Sequence, residues 1–176
     1  FTTQGEKDFY RFLQGVALPH NRYLCWYLPD VLGREPDFIL YSEEVGLVIF
    51  EVKDWALDKI LGADKHYFTL LIGEREEKRQ NPQQQVRDYF NSLMDRIKKD
   101  SHLVSKEPHA YGKVKIPVST GIVFSNINKY EYRQKGFDGV LPTEQIFFWD
   151  DLHPQSPICE DPTGGCFLGA VRQMFP

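Results

Sequence analysis

Apolar residues recur with two different periods along the chain, which predicts both helices and strands. Over residues 3–17 they return every three or four positions, and Pro19 ends the pattern, so a first amphipathic helix is expected there. A second helix is expected over residues 81–99, where Asn81 suits the N-cap and Pro82 the first helical position. Each helix carries one apolar stripe and should therefore pack one face against a sheet.

Short runs rich in β-branched and aromatic residues predict the strands. These runs are residues 23–28, 37–41, 47–53, 66–72, 116–124 and 145–149. Residues 42–46 are polar and end in glycine, which predicts a hairpin loop. The charged stretch 74–80 is expected only to close the fourth strand, and residues 101–114 are expected to form a loop. A short polar helix is expected over 128–135, and one helix is expected near the end of the tail that follows residue 153. This order predicts an α/β fold with a mixed central β-sheet flanked by helices.

Composition and charge narrow the class of protein. A chain of 176 residues that is 41% hydrophobic and 26% charged is expected to form one globular domain, with a core over about 3–150 and a tail, 151–176, leading to a further domain. The longest apolar run, 46–50, is too short to cross a bilayer, so no membrane partner is expected. Three cysteines without a CxxC spacing favour a reducing, cytoplasmic location. With a net charge of −4, no large basic field dominates the chain, which argues against tight nonspecific binding of nucleic acid but is compatible with a local basic groove.

The hairpin around residues 42–46 brings ionisable side chains together. If the loop closes symmetrically about residue 44, Asp37 lies opposite Glu51 on the neighbouring strand. Side chains alternate between the faces of a strand, so Glu51 and Lys53 share one face while Val52 takes the other. The sequence therefore predicts two carboxylates and one ammonium group on a common patch.

Two carboxylates in this arrangement point to a divalent cation. Opposed strand residues lie roughly 5 Å apart, where two negative charges repel by about 3 kcal/mol at an effective dielectric constant near 20. A hard cation such as Mg²⁺, or Mn²⁺, would turn this repulsion into attraction. Lys53 would then be available to position or deprotonate the attacking water, or to stabilise charge on a phosphate. These groups are the ones needed to hydrolyse a phosphodiester.

Four ordered landmarks resemble a known family. Pro36-Asp37 followed by Glu51-Val52-Lys53 resembles the PD-(D/E)XK motif of restriction-endonuclease-like nucleases. Gly5-Glu6-Lys7 opens the first helix, Trp55 follows the core strand, and Asn81-Pro82-x-x-Gln85 opens the second long helix. Over about residues 5–125, the chain is thus similar to the NERD (nuclease-related) domain, which occurs alone or fused to helicase and kinase modules.

The resemblance implies a restriction-endonuclease-like fold and a specific site. Its members would be, in chain order, Glu6, Asp37, Glu51, Val52, Lys53 and Gln85. Asp37, Glu51 and the backbone carbonyl of Val52 would hold Mg²⁺ or Mn²⁺, Lys53 would be the catalytic lysine, and Glu6 and Gln85 would complete the site. The implied activity is a Mg²⁺-dependent deoxyribonuclease that acts on DNA, with a superfamily I helicase module in the same chain.

Each candidate residue also has a structural explanation. Asp37 could simply start a strand, and Glu51 could pair with a lysine. Glu6 could be the reciprocal half of a capping box with Thr3, and Gln85 could be a sheet-contacting residue on the first turn of its helix. Trp55 is more typical of a core anchor than of a base-stacking platform.

Two other functions remain open from the sequence. The acidic loop residues Glu43 and Glu44 and the acidic net charge do not favour the approach of DNA. They are compatible with a noncatalytic nucleic-acid-binding or docking module of a larger DNA-processing protein. A protein-interaction domain that uses its aromatic surface is a third alternative.

Overall fold

The computed structural model describes residues 1–176, which form two β-sheets and six α-helices. The helices are α1 (Gln4–Val16), α2 (Pro82–Lys98), α3 (Lys129–Gln134), α4 (Trp149–Leu152), α5 (Pro157–Glu160) and α6 (Gly165–Gln173). The strands are β1 (Tyr23–Tyr27), β2 (Phe38–Ser42), β3 (Gly46–Lys53), β4 (Ile60–Ala63), β5 (Tyr67–Ile72), β6 (Arg75–Gln80), β7 (Val118–Phe124) and β8 (Ile146–Phe148). None of the helices combines the length and the hydrophobicity that a bilayer-spanning segment needs.

The larger sheet is mixed, as the sequence predicts. Its strand order is β1-β2-β3-β7-β8, in which β1, β2 and β3 are antiparallel neighbours and β3, β7 and β8 run parallel. The parallel half requires crossover connections, and α2 lies within the one that joins β3 to β7. The predicted α/β fold with a mixed sheet flanked by helices is confirmed, and it is consistent with a restriction-endonuclease-like fold.

The β2–β3 hairpin has the register expected from its loop. Its pairs run from Phe38 opposite Phe50 to Ser42 opposite Gly46, which is symmetric about residue 44. Gly46 has φ of +107°, and a Cβ atom there would lie 2.2 Å from the Pro117 carbonyl oxygen. Glycine is therefore required at the point where the hairpin turns into β3.

The sheet separates two hydrophobic clusters, in agreement with the predicted alternation along β3. Val48, Phe50 and Val52 face the cluster that contains α1 and α6, whereas Ile49 faces the cluster that contains α2. Three residues of the C-terminal tail, Phe167, Val171 and Met174, are buried in the first of these clusters. The position of Glu51 on the α2 side and the approach of α1 from the other side both follow from this layering.

The smaller sheet was not fully predicted. The stretch 74–80 is not just a closing segment, because β6 (Arg75–Gln80) pairs antiparallel with β5 along its whole length, and β4 was missed altogether. Every side chain of β6 is polar, so the strand carries no apolar alternation and is formed by backbone pairing with β5 across the turn at Gly73 (φ +62°). The other predicted elements are present, with ends displaced by at most two residues.

Candidate active site

The candidate site lies where β2 begins and β3 ends. Asp37 immediately precedes β2, and its Oδ2 accepts a hydrogen bond of 2.7 Å from the Val52 backbone N–H. This bond holds the Asp37 carboxylate against the end of β3, next to Glu51 and Lys53. The predicted convergence of two acids and one lysine is therefore found in the structure.

Glu51 is the most deeply buried acid of this group, with only 3% of its surface exposed. Its Oε1 accepts a hydrogen bond from Lys53 Nζ at 2.5 Å. Its Oε2 is also buried, yet it has no hydrogen-bond partner, and it is the only buried side-chain polar atom of the chain in that state. An unsatisfied buried acceptor typically costs about 1–3 kcal/mol, so this oxygen has unused capacity for a donor or a cation.

The two carboxyl groups resist ionising together. Burial raises the pKa of Asp37 to about 7, and the neighbouring charge of Glu51 adds to the effect, whereas the Val52 N–H and Lys53 oppose it. The pKa of Glu51 is also raised, chiefly by burial, despite the opposing attraction of Lys53. A bound cation would lower the free-energy cost of ionising the two carboxyl groups, because its positive charge favours the charged form of both.

Glu6 reaches the site from the opposite face of the sheet. Its Oε2 accepts hydrogen bonds from Tyr27 Oη at 2.7 Å and from the Thr2 N–H at 2.9 Å, and its Oε1 accepts one from Thr3 Oγ1 at 3.2 Å. The capping box with Thr3 is only half formed, since the Glu6 N–H donates to Thr3 Oγ1 but the carboxylate takes the N–H of Thr2 instead. Glu6 is thus held by three donors, and its charge still helps to raise the pKa of Asp37.

Gln85 lies on the first turn of α2, on the Glu51 side of the sheet. Its amide Nε2 donates to Tyr89 Oη at 2.8 Å, and it is close enough to Glu51 to contribute to lowering the pKa of that carboxyl. The hydrogen bond that Gln85 makes is to Tyr89, and Oε2 of Glu51 has no hydrogen-bond partner. Burial raises the pKa of Tyr89 to about 12, so its hydroxyl stays protonated at neutral pH.

Lys53 is positioned from two sides. Glu51 holds its ammonium group, and Trp55 lies beneath it, with Lys53 Nζ 5.7 Å from the centroid of the indole ring. Trp55 in turn packs against Phe68 and Phe124, so it is a core anchor, as the sequence favoured. The Lys53 side chain remains 17% exposed and can reach a substrate at the surface.

The oxygen atoms at this end of the sheet suit a magnesium ion. No three His, Cys, Asp or Glu side chains form a ready-made metal cluster. The candidate ligands are instead the carboxylates of Asp37 and Glu51 and the backbone carbonyl of Val52. The Val52 N–H donates to Asp37, and because the N–H and C=O of one strand residue point to the same side, the Val52 carbonyl points to the Asp37 side as well. Mg²⁺ prefers oxygen ligands and keeps several waters, so a set with few protein ligands and one vacant carboxylate oxygen fits it.

Gly5 sets the position of Glu6 through close packing. A Cβ atom at Gly5 would lie 2.6 Å from Ser125 Oγ and 3.0 Å from Asp54 Cβ, so α1 begins in direct contact with the end of β3. We expect Gly5→Ala to lower the free energy of unfolding by about 1–3 kcal/mol, since α1 must shift to make room. Denaturant unfolding measures this change.

Gly15→Ala is the matched control on the same helix. A Cβ atom at Gly15 meets nothing within 4 Å, so this change should raise the unfolding free energy by up to about 1 kcal/mol. Equal stability of the Gly5→Ala and Gly15→Ala variants would contradict the close contact between α1 and β3.

Some residues near the site were not selected from the sequence. Tyr27 binds Glu6, but only the fold shows that β1 brings its hydroxyl there. Lys59 and Arg79 line a cleft of about 640 Å³ together with Lys53. The pattern gave no signal for either, because Lys59 lies in the short turn before β4 and Arg79 on a strand whose side chains are all polar.

Comparison with known proteins identifies a family for this chain. A family model described as nuclease-related domain (NERD) matches residues 2–127, which include α1, the β2–β3 hairpin and α2. Neither the search of curated proteins nor the search of solved structures found a match. Because the family model covers well over half of the 176 residues and all six candidate positions, the chain belongs to the nuclease-related domain family.

Proposed function

We propose that this domain is a Mg²⁺-dependent nuclease that hydrolyses DNA phosphodiester bonds. The observation that carries the proposal is that Oε2 of Glu51, buried beside Asp37 and Lys53, has no hydrogen-bond partner. Two neighbouring buried carboxylates destabilise a fold unless something offsets their repulsion. Such arrangements are common at catalytic sites, and membership of a nuclease-related family supports this explanation.

Asp37, Glu51 and the Val52 carbonyl are the groups that would hold Mg²⁺, or Mn²⁺. When bound, the ion would polarise a phosphoryl oxygen and lower the pKa of water. The two carboxylates would keep it at the end of β3, and the raised pKa of Asp37 means that a proton must leave this site for the ion to enter. Glu6, held by Tyr27, would add negative charge behind these ligands.

Lys53 would act directly on the substrate. Its ammonium group, fixed by Glu51 and Trp55, can donate hydrogen bonds to a nonbridging phosphate oxygen and to the attacking water. It would thereby stabilise the negative charge that develops on the nonbridging oxygens as water attacks phosphorus in line and the bond from phosphorus to the leaving ester oxygen breaks. The Gln85 amide oxygen would be able to accept a hydrogen bond from Lys53, and the second amide hydrogen, besides the one donated to Tyr89, would be able to contact the scissile strand.

Cleavage of single-stranded, nicked and forked DNA in Mg²⁺ or Mn²⁺ tests the proposal. We expect Lys53→Met, which keeps the alkyl chain over Trp55, to lower the cleavage rate by about 10²–10³-fold, because one charge-stabilising donor is lost. Lys78→Met, on the far side of β6, is the control and should cleave like the wild type. The nuclease proposal fails if the wild type cuts none of these substrates with either ion, or if Lys53→Met cuts as fast as the wild type.

A noncatalytic nucleic-acid-binding module is the second candidate. The close ion pair between Lys53 and Glu51 favours it, since that pair neutralises part of the site without a cation. This function predicts DNA affinity that is independent of divalent ions and accompanied by no cleavage.

We also propose a helicase module in the same chain and a cytoplasmic location. The family resemblance supports the helicase module, and three free cysteines support a reducing compartment. The coding sequence beyond residue 176 tests the helicase proposal, which fails if no helicase motifs follow. Fluorescence localisation of the whole protein tests the cytoplasmic location, which is wrong if the protein is exported.

A further inference from the structure

Three cationic side chains, Lys53 among them, line a cleft next to the candidate site. The cleft has a volume of about 640 Å³ and lies between the end of β3, the segment that leads to β4, the β5–β6 hairpin and the first turn of α2. Its three charged lining side chains are Lys53, Lys59 and Arg79, and no acidic side chain lines it. In a chain of net charge −4, this concentration of cations marks the cleft as a site for an anion.

The strand register directs Arg79 into the cleft. Arg79 lies opposite Phe68, which is buried in the core, so it occupies the inner face of the hairpin. Its neighbour Lys78 occupies the outer face, where its Nζ lies 5.8 Å from the Tyr67 ring centroid. Each of the three cations also pairs with an acid that does not line the cleft: Lys53 with Glu51 at 2.5 Å, Lys59 with Asp58 at 3.9 Å and Arg79 with Glu77 at 2.6 Å.

The exposure of the cations suits a ligand from solution. The side chains of Lys59 and Arg79 are 55% and 52% exposed, whereas Lys53 is 17% exposed at the inner end. Lys59 comes from the segment after β3 and Arg79 from β6, so the two cations stand on separate elements. An anion with charges repeated along its length, such as a phosphate backbone, contacts separate cations better than a single small anion does.

From this arrangement we propose that the cleft binds the phosphate backbone of a DNA strand next to the scissile bond, with Lys59 and Arg79 each contacting one phosphate. The inference rests on the proposed function, because Lys53 belongs to both the cleft and the catalytic group. Lys59 and Arg79 are binding residues in this scheme and take no part in the chemical step. They would supply a local attraction for the strand in a chain of net charge −4.

Binding measured without turnover tests the cleft. The probe is a short fluorescein-labelled single-stranded oligonucleotide, titrated in EDTA over a range of salt concentrations and followed by fluorescence anisotropy. Each phosphate contact with a single strand contributes a slope of about 0.7 to log K against log salt. We therefore expect Lys59→Ala and Arg79→Ala each to reduce this slope by about 0.7 and to weaken binding about fivefold at 0.1 M salt.

Three further variants sharpen the result. Lys78→Ala, adjacent to Arg79 but on the outer face, should bind like the wild type. Arg79→Lys keeps the charge and should retain most of the affinity, which separates a phosphate contact from damage to β6. The double variant Lys59→Ala with Arg79→Ala should lose about 25-fold, because the two contacts act independently. The Tm of each variant shows that it is folded.

The outcomes separate the cleft from the catalytic proposal. Wild-type affinity and salt slope in the double variant, or no binding by the wild type, would overturn the cleft inference even if the wild type cleaves DNA. Weaker binding in Lys59→Ala and Arg79→Ala, with Lys78→Ala unchanged, would support the cleft even if no cleavage is found. Equal weakening by Lys78→Ala would also overturn it, because the attraction would then be spread over the hairpin.

Discussion

Replacing Glu51 with glutamine is expected to abolish Mg²⁺ binding and to lower the rate of DNA cleavage by about 10³-fold or more. The substitution keeps the shape of the side chain but removes one of the two charges that hold the cation. A loss of this size corresponds to about 4 kcal/mol of transition-state stabilisation, which is within the range supplied by a catalytic metal. Calorimetric titration with Mg²⁺ and single-turnover cleavage measure the two effects.

The same substitution should stabilise the protein when no divalent ion is present. Burial raises the pKa of Glu51 even though Lys53 lies beside it, so the ionised carboxylate is less favourable in the folded protein than in the unfolded chain. Glutamine removes that ionisation, and we expect the Tm in EDTA at pH 7 to rise by a few degrees, since 1 kcal/mol changes Tm by about 2–4 °C in a domain of this size. Mg²⁺ should then raise the Tm of the wild type but not that of the variant.

Glu43→Gln is the matched control for this experiment. Glu43 is exposed in the loop at the opposite end of the same hairpin, so its substitution removes one negative charge without touching the site. It should leave Mg²⁺ binding, cleavage and the ion-dependent rise in Tm unchanged. Retention of Mg²⁺ binding by the Glu51→Gln variant would show that the ion binds elsewhere.

The β2–β3 hairpin shows what the sequence could reveal about the site. The loop length and the glycine at its end fix the register, and the register alone places Asp37 beside Glu51. Period-two alternation then assigns Glu51 and Lys53 to one face, where the structure has them paired. These are short-range relations, so local pattern was sufficient to predict them.

The contributions from distant elements were harder to predict. The positions of Glu6 and Gln85 near the site followed only from the family resemblance, since nothing in the local pattern shows which ends of α1 and α2 meet β3. The partners Tyr27 and Tyr89 depend on side-chain packing across the sheet. The lack of a hydrogen-bond partner at Glu51 Oε2 depends on how the whole site is assembled, and residue spacing alone does not reveal it.

The basic cleft escaped prediction for a different reason. Hydrophobic periodicity identifies strands that bury one face, whereas β6 is polar on both faces and is stabilised by its pairing with β5. The stretch 74–80, which contains Arg79, was therefore predicted only to close the fourth strand. Tertiary pairing turned an unpatterned segment into one wall of a cleft beside Lys53.

The second large effect expected is a fall in the stability of the metal-free protein as pH rises through neutrality. The pKa of Asp37 is raised from 3.8 to about 7, so the folded protein binds a proton there that the unfolded chain has already released. Its contribution to stability is complete below about pH 4 and is lost as the pH rises through about 7. At roughly 1.4 kcal/mol for each unit of pKa, the upper bound of this loss is about 4 kcal/mol.

Thermal unfolding of the wild type and of Asp37→Asn, in EDTA and in Mg²⁺ between pH 5.5 and pH 8.5, would measure this coupling. The asparagine at position 37 cannot ionise, so in EDTA the Tm of Asp37→Asn should exceed that of the wild type by a margin that widens as the pH rises. The control is Asp95→Asn on the exposed side of α2, whose Tm should follow that of the wild type. In Mg²⁺ the wild type should recover stability above pH 7, because the ion replaces the proton at the deprotonated carboxylate. A constant difference between wild type and Asp37→Asn across this range would show that Asp37 is ionised throughout, and the two acids would then not compete for charge at the end of β3.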